Sequence, residues 1–336
     1  MMTFSKSWIS RLLGFLILAK SGFSAELPAS SFKGINWADA RDNFVDGWII
    51  PSGIDHRLSE AEVVEQASVY LRQFQTILGI NTVRLGINPE TVLDQAWWPK
   101  YRALVREANR LKIKVILACW ESQSSKDGKI DDLAAFRQMW DVVIADFRGE
   151  RGVFFEIFNE PHGYTAEEWR DLAHAWVRHF ALRIAKGDKS RIFVSGSGYN
   201  ENLVHVAADQ RLQGCRLSFH LYSWFGGQHT NVASWKKELE GRIGIENAAR
   251  TVVTEWGAPM KSRAADHYAQ PPTTAEQAFL QGMSETIRAG NMGSIYWPGL
   301  RDGDDFSLLV RVGHGVELKL TNESGKTKWR ESFAPH

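Results

Sequence analysis

Val153-Phe154-Phe155-Glu156-Ile157-Phe158-Asn159-Glu160-Pro161 decides how the rest of the sequence is read. Its run of large apolar and aromatic residues suits a strand buried on both faces. Pro161 has no N–H to give a ladder and disfavours helix in the residue before it, so the strand is expected to stop at Glu160. An amide and a carboxylate, Asn159 and Glu160, then stand side by side at the carboxyl end of a buried strand. In parallel α/β folds that end carries the chemistry. A lone strand-end Glu facing water would look the same, so the reading needs a second stretch. Thr251-Val252-Val253-Thr254-Glu255-Trp256-Gly257 supplies it, a short β-branched run ending in Glu255. The two carboxylates are 95 positions apart, too far for a local pair. A barrel of repeating strand–helix units brings such residues to the centre of one face. Two carboxylates flanking a bond are what acetal hydrolysis needs: one attacks or activates water, the other protonates the leaving oxygen.

Working outward, strands are expected at 32–37, 82–87, 113–120, 153–160, 191–197, 217–222, 251–256 and 294–297. Helices are expected between them at 59–78, 97–111, 131–147, 165–185, 233–248 and 274–289, with a short turn near Asn202 and a last helix from Ser324. Ser59 with Glu62 reads as a capping box and Gly79 as a helix stop. Eight short strands alternating with helices are the pattern of an α/β (β/α)8 TIM barrel in a single domain. A doubly wound open sheet is the competitor, but no glycine-rich phosphate turn follows an early strand; Gly196-Ser197-Gly198 lacks the third glycine. The loops at 38–55 and 301–305 are polar and lie at strand ends, so both are candidate site walls.

The 336 residues suffice for one barrel, and a net charge of +1 gives no reason to expect nucleic acid or an anionic surface as a partner. Residues 1–25 read as a secretory signal, with Lys6 and Arg11 before a short apolar run and small residues at 21–25. The expectation is a protein secreted to the extracellular space or periplasm, with no membrane association once the signal is removed and a catalytic domain at 26–336. Cys119 and Cys215 are expected at opposite ends of the barrel and therefore as free thiols. Two Cys, scattered His and no His-Glu-x-x-His give no metal signature. The 14 Trp are many for this length. Flat rings are the usual platform for sugar faces, so Trp37, Trp48, Trp120, Trp224 and Trp256 are each either core or platform.

Taken together, the strand ends carry Asn36 and Trp37, Trp120, Asn159 and Glu160, His220 and Tyr222, Glu255 and Trp256, and Trp297, with Arg84 inside the second strand. This ordered set resembles glycoside hydrolase family 5, the cellulase family of retaining (β/α)8 glycosidases, over about 32–333. The resemblance implies Glu160 as acid/base and Glu255 as nucleophile. It implies Asn159 on the sugar 2-hydroxyl, Arg84 and Tyr222 keeping Glu255 ionised, His220 bonding near Glu160, and Trp297 as the floor under the sugar. Many relatives carry His where this chain has Trp120, which leaves the glycan open. Glu121 is either a rim residue or a solvated surface acid. The function expected is a secreted retaining endo-β-1,4-glucanase, a monomer acting on polysaccharide or oligosaccharide without cofactors or metal. A β-mannanase or another β-glycan hydrolase is the alternative on the same mechanism. A non-catalytic carbohydrate-binding barrel could lose either Glu, and here both are present. A serine esterase would need an elbow that Ser195-Gly196-Ser197-Gly198 does not supply.

Overall fold

The computed structural model of the protein describes residues 27–184, 187–225, 229–313 and 315–333. The expected secretory signal lies outside the described residues. Among them, no helix is long and apolar enough to cross a membrane.

Eight parallel strands follow one another in order and close, because the first also pairs with the eighth. They are β1 (Lys33–Trp37), β2 (Thr82–Ile87), β3 (Lys114–Cys119), β4 (Val153–Glu156), β5 (Ile192–Ser195), β6 (Arg216–Leu221), β7 (Thr251–Trp256) and β8 (Gly293–Leu300). The helices between them are α1 (Glu60–Gln73), α2 (Trp98–Arg110), α3 (Leu133–Phe147), α4 (Ala166–Phe180), the single turn α5 (Val204–Ala208), α6 (Val232–Ile243), α7 (Ala275–Ala289) and α8 (Glu323–Arg330). The closure excludes the open doubly wound sheet and makes this a (β/α)8 barrel. A small antiparallel hairpin, β9 (Leu309–Arg311) with β10 (Leu318–Leu320), extends the sheet beyond β8. It was not expected from the sequence, where three-residue strands leave no periodic signal.

Helix starts follow their caps. Ser59 and Glu62 make a reciprocal capping box at α1, Thr165 and Glu168 another at α4, and Thr274 and Gln277 a third at α7. Asp132 caps α3, so this helix starts at Leu133, two residues inside the expected start. Gly79, at φ +70°, ends the helical stretch after α1 in the left-handed conformation that glycine adopts without strain.

Three apolar clusters pack the molecule. At the amino-terminal end Phe32, Ile116, Phe154, Phe193, Val252 and Ile295 fill the interior, with Phe32 edge-on to Phe154 at 4.8 Å. Between strands and helices lies the main apolar shell, which includes Trp97, Trp140, Trp169 and Trp235. At the carboxyl-terminal end a separate cluster forms from Ala38, Val45, Ile49, Ala118, Trp120, Tyr222 and Trp297. Both cysteines are buried and free.

Candidate active site

β4 stops at Glu156 rather than at Glu160. Pro161 is not what ends it. After Glu156 the ladder to β5 survives only in Ile157 N–H donating to Phe193 O (3.2 Å), and Asn159 N–H turns to Cys119 O on the other side (2.9 Å). The four residues 157–160 therefore lift off the sheet and carry Asn159 and Glu160 over the mouth of the barrel.

Beneath them, Arg84 of β2 points into the barrel and is 1 % exposed. All five of its N–H bonds are used. Nε and Nη2 donate to the two oxygens of Glu156 (2.7 and 2.9 Å), Nη2 also to Asn159 Oδ1 (2.7 Å), and Nη1 to Asn36 Oδ1 and Glu255 Oε2 (both 2.9 Å). Burial alone would weaken this cation. The charges of Glu156 and Glu255 outweigh it and raise its pKa further. Glu156 is the residue that sequence reasoning passed over. Its signal was present: an acid in the middle of an apolar strand, two positions after Phe154 and so on the same face.

Glu255 reaches this interior through an irregularity. In the β6–β7 register Phe219 faces Val253 and His220 faces Glu255, which leaves Thr254 as an extra residue on β7. The bulge lets two consecutive side chains turn inward. Thr254 Oγ1 bonds Ser218 Oγ, and Glu255 meets Arg84. Tyr222 Oη donates to the other carboxylate oxygen of Glu255 (2.9 Å). His220 Nδ1 contacts Glu160 Oε1 (2.9 Å), and its Nε2 stands 3.7 Å from Glu255 Oε2. Asn159 Nδ2 and His220 Nε2 are buried without partners. Because Arg84 takes the amide oxygen of Asn159, the NH2 group is the end left for a ligand.

The ligand atoms of Glu160, His220 and Glu255 lie within 4.8 Å of one another. This spacing could in principle hold a cation. Arg84 already sits on Glu255 as a fixed positive charge, which disfavours a second cation there. The same spacing brings one oxygen of each carboxylate close enough for the pair to flank a single bond. Burial raises the pKa of Glu160 well above the usual carboxylate range, and the charge of Glu255 adds to this. Burial also pushes Glu255 up to about 7, against the pull of Arg84 and Tyr222. Arg84 and Tyr222 both favour the ionised form, as expected, but two donors do not outweigh enclosure. The order survives, because Glu160 binds the proton more tightly. Burial keeps His220 neutral.

The cleft above is a cavity of about 480 Å³ lined by Glu160, Glu255, Trp120, Trp297, Tyr222, Trp224, Phe225, Tyr199, His162, Phe44, Phe306, Asp42, Arg301 and Asp304, with Ser125. Trp120 stacks on Trp297 (centroids 5.4 Å apart, 17° between planes) and covers the Arg84 guanidinium at 5.5 Å. Trp224 lies flat on Tyr222 at 4.4 Å and is 53 % exposed, so its free face is open to a ligand. Gly86 closes β2 where a Cβ would stand 2.9 Å from the Asn43 side chain, which lets the loop carrying Asp42 and Phe44 dock on the rim.

Two expected sugar platforms are elsewhere. Trp37 turns outward under α1, against Tyr70 and Phe74, with Nε1 donating to Ser52 O (2.9 Å). Trp256 turns outward beside Tyr296, with Nε1 on Ser294 Oγ (3.2 Å). Each follows an inward residue, Asn36 or Glu255, and strand alternation sends it to the helix layer. Glu121, just past the end of β3, is not a solvated surface acid and does not line the cleft. It is 2 % exposed, accepts Asp131 N–H (2.5 Å), and burial pushes its pKa up to about 8.

The sequence model of the cellulase family, glycosyl hydrolase family 5, matches residues 65–298. The chain belongs to this family. No curated protein matches the sequence. Among solved structures, the fold is similar to an endo-β-1,4-glucanase from Xanthomonas axonopodis pv. citri at 16 % identity and a TM-score of 0.60, covering 90 % of this chain and 99 % of that one. It is also similar to the hyperthermophilic endocellulase of the archaeon Pyrococcus horikoshii at 14 % identity and a TM-score of 0.66, covering 90 % and 92 %. Family membership makes the protein a glycosidase with a retaining mechanism and a polysaccharide-type substrate.

Proposed function

We propose that the protein is a secreted endo-1,4-β-glucanase that cleaves β-glucan by double displacement. The observation that carries the reading is Glu160 and Glu255 facing each other in one cleft, with a carboxylate oxygen of each within 4.8 Å of the other. Retaining enzymes hold their carboxyl groups about 5–5.5 Å apart, whereas inverting enzymes leave roughly 6.5–9.5 Å for a water. Glu255 attacks the anomeric carbon while Glu160 gives its proton to the leaving oxygen. Water then enters, loses a proton to Glu160, and releases the sugar from Glu255. The different hold of the two carboxyls on a proton supports these roles, since near neutral pH the one proton stays on Glu160. Asn159 donates its free Nδ2–H to the sugar 2-hydroxyl. Trp297, backed by Trp120, forms the apolar side under the sugar, and Trp224 offers the next platform. The basic, short apolar and small-residue segments at 1–25 support secretion. A monomer needs no further partner for this chemistry.

A β-mannanase or another β-glycan hydrolase would run on the same mechanism, and Trp120, standing where many relatives carry His, does not separate it from the glucanase. The test is reducing-sugar release from soluble cellulose, mixed-linkage glucan, mannan and xyloglucan, side by side with Glu160→Ala and Glu255→Gln. The expected result is release from cellulose or mixed-linkage glucan, reduced by roughly 10⁴-fold or more in Glu255→Gln, as when other covalent mechanisms lose their nucleophile. Release from mannan alone would overturn the substrate. An unchanged rate in Glu255→Gln would overturn the mechanism.

A further inference from the structure

Glu160 protonates the leaving oxygen from the end of β4, so the leaving part of the substrate runs toward the loops after β4, β5 and β6. The part that stays on Glu255 lies toward the opposite rim, formed by the loops after β8 and β1, which are neighbours through the β1–β8 pairing. That rim carries charge. Arg301 Nη1 donates to Asp304 Oδ2 (2.7 Å) and stands 3.3 Å from Asp42 Oδ2. Arg301 Nε is buried and has no acceptor. Asp42 and Asn43 are consecutive non-glycine residues in the left-handed region, at φ +83° and +57°. Backbone in this region is sparsely populated and persists where surrounding structure holds it. Here Asn43 Oδ1 accepts Asp39 N–H (2.8 Å), and the space at Gly86 receives the Asn43 side chain. The strained turn sets the Asp42 carboxylate in the cleft wall.

We propose that Asp42 and Arg301 form a clamp that binds hydroxyls of a neutral sugar on the non-leaving side and rejects a sugar bearing a carboxylate. This rests on Glu160 and Glu255 being the catalytic pair. Asp42 accepts from sugar hydroxyls, and the part-exposed Arg301 guanidinium donates to one through its terminal nitrogens. The Asp42–Arg301 contact is the longer of the two that Arg301 makes, so a hydroxyl pair displaces it most readily. The clamp sums to one negative charge at neutral pH (Asp42 and Asp304 against Arg301), since burial pushes the Asp42 carboxyl up only to about 6. An anionic sugar meets repulsion there, while a polyol meets matched donors and acceptors.

The test is binding of cellopentaose, and of cellopentaose oxidised to glucuronate at carbon 6, to the Glu255→Gln protein by calorimetry. It is repeated with Asp42→Asn and with Arg301→Met added. Asn tolerates the left-handed turn, so Asp42→Asn keeps the fold. The neutral ligand is expected to bind more tightly than the oxidised one. Each added substitution weakens neutral binding about tenfold or more, the scale of a lost charge-assisted hydrogen bond, and Asp42→Asn narrows the neutral-over-anionic preference. Unchanged affinity in both variants, or an unchanged preference in Asp42→Asn, would overturn the clamp. Hydrolysis by the unsubstituted enzyme is measured separately. Clamp-dependent binding without any hydrolysis would sink the catalytic reading and leave the clamp standing.

Discussion

Within β4 the barrel interior changes character in two residues. Phe154 belongs to the amino-terminal layer of aromatic and branched side chains, and Glu156 to the layer of Arg84, Asn36, Ser218 and Thr254 above it. Both layers are fully enclosed. The lower one is held by apolar burial and edge-to-face rings, which need no partner of a given charge. The upper one is a closed set of donors and acceptors in which every N–H of Arg84 has a named oxygen. The contrast teaches that enclosure serves two ends in one barrel. Below, it stabilises. Above, it makes each polar group depend on the others.

The comparison breaks most visibly at Arg84. Arg84→Met leaves Glu156 and Glu255 buried without their cation and strips acceptors Asn36 and Asn159 of a donor. The expected loss is about 3–5 kcal/mol in denaturant unfolding, the scale of removing one partner from a buried pair, together with hydrolytic activity. Arg84→Lys should recover only part of either, because an ammonium cannot reach five acceptors in the geometry of a planar fork. A variant as stable as the parent would show that the upper layer is not the coupled unit described.

Phe154→Ala tests the layer below. It opens a cavity among Phe32, Phe193 and Val252 and is expected to cost about 3–5 kcal/mol, somewhat less where neighbours relax. The catalytic pH profile measured at a temperature where the variant is folded should not move. A shifted profile would mean that the two layers are mechanically joined.

How much of this was legible in the sequence follows from the same contrast. That Asn159, Glu160, His220, Tyr222, Glu255 and Trp297 share one rim was legible because each lies at or near the carboxyl end of an expected strand, and barrel topology gathers such ends. Trp37 and Trp256 were misplaced by that rule taken alone, since a strand end has two faces and their neighbours Asn36 and Glu255 had already taken the inner one. Glu156 needed both its parity and the knowledge that Arg84 lies opposite, which is a long-range fact. Asp42 sits in an irregular loop where no period exists to read, and only its left-handed backbone marks it. The rise in proton affinity that burial gives Glu255 was not legible, because donors are visible in a sequence and enclosure is not.

The smallest expected effect sharpens the comparison, because it sets activity against stability at one carboxyl. Glu255 is raised by burial from an ordinary value near 4.5 to about 7 in the folded protein. Between these values the unfolded chain has released the proton and the folded one keeps it, so stability falls as pH rises through this window. Glu160, raised further, extends the same sign to higher pH. Activity runs the other way, since Glu255 attacks only when ionised: the acidic limb of kcat/KM is expected near pH 7, with the alkaline limb set by loss of the Glu160 proton. Glu255→Gln keeps the shape without the charge. It is expected to flatten the fall in unfolding free energy between pH 5 and 8 by about 1–3 kcal/mol, since each tenfold gain in proton affinity on folding is worth roughly 1.4 kcal/mol, while abolishing turnover. Parallel stability curves for parent and variant, or an acidic limb near pH 4, would show that Arg84 and Tyr222 hold the charge on Glu255 after all.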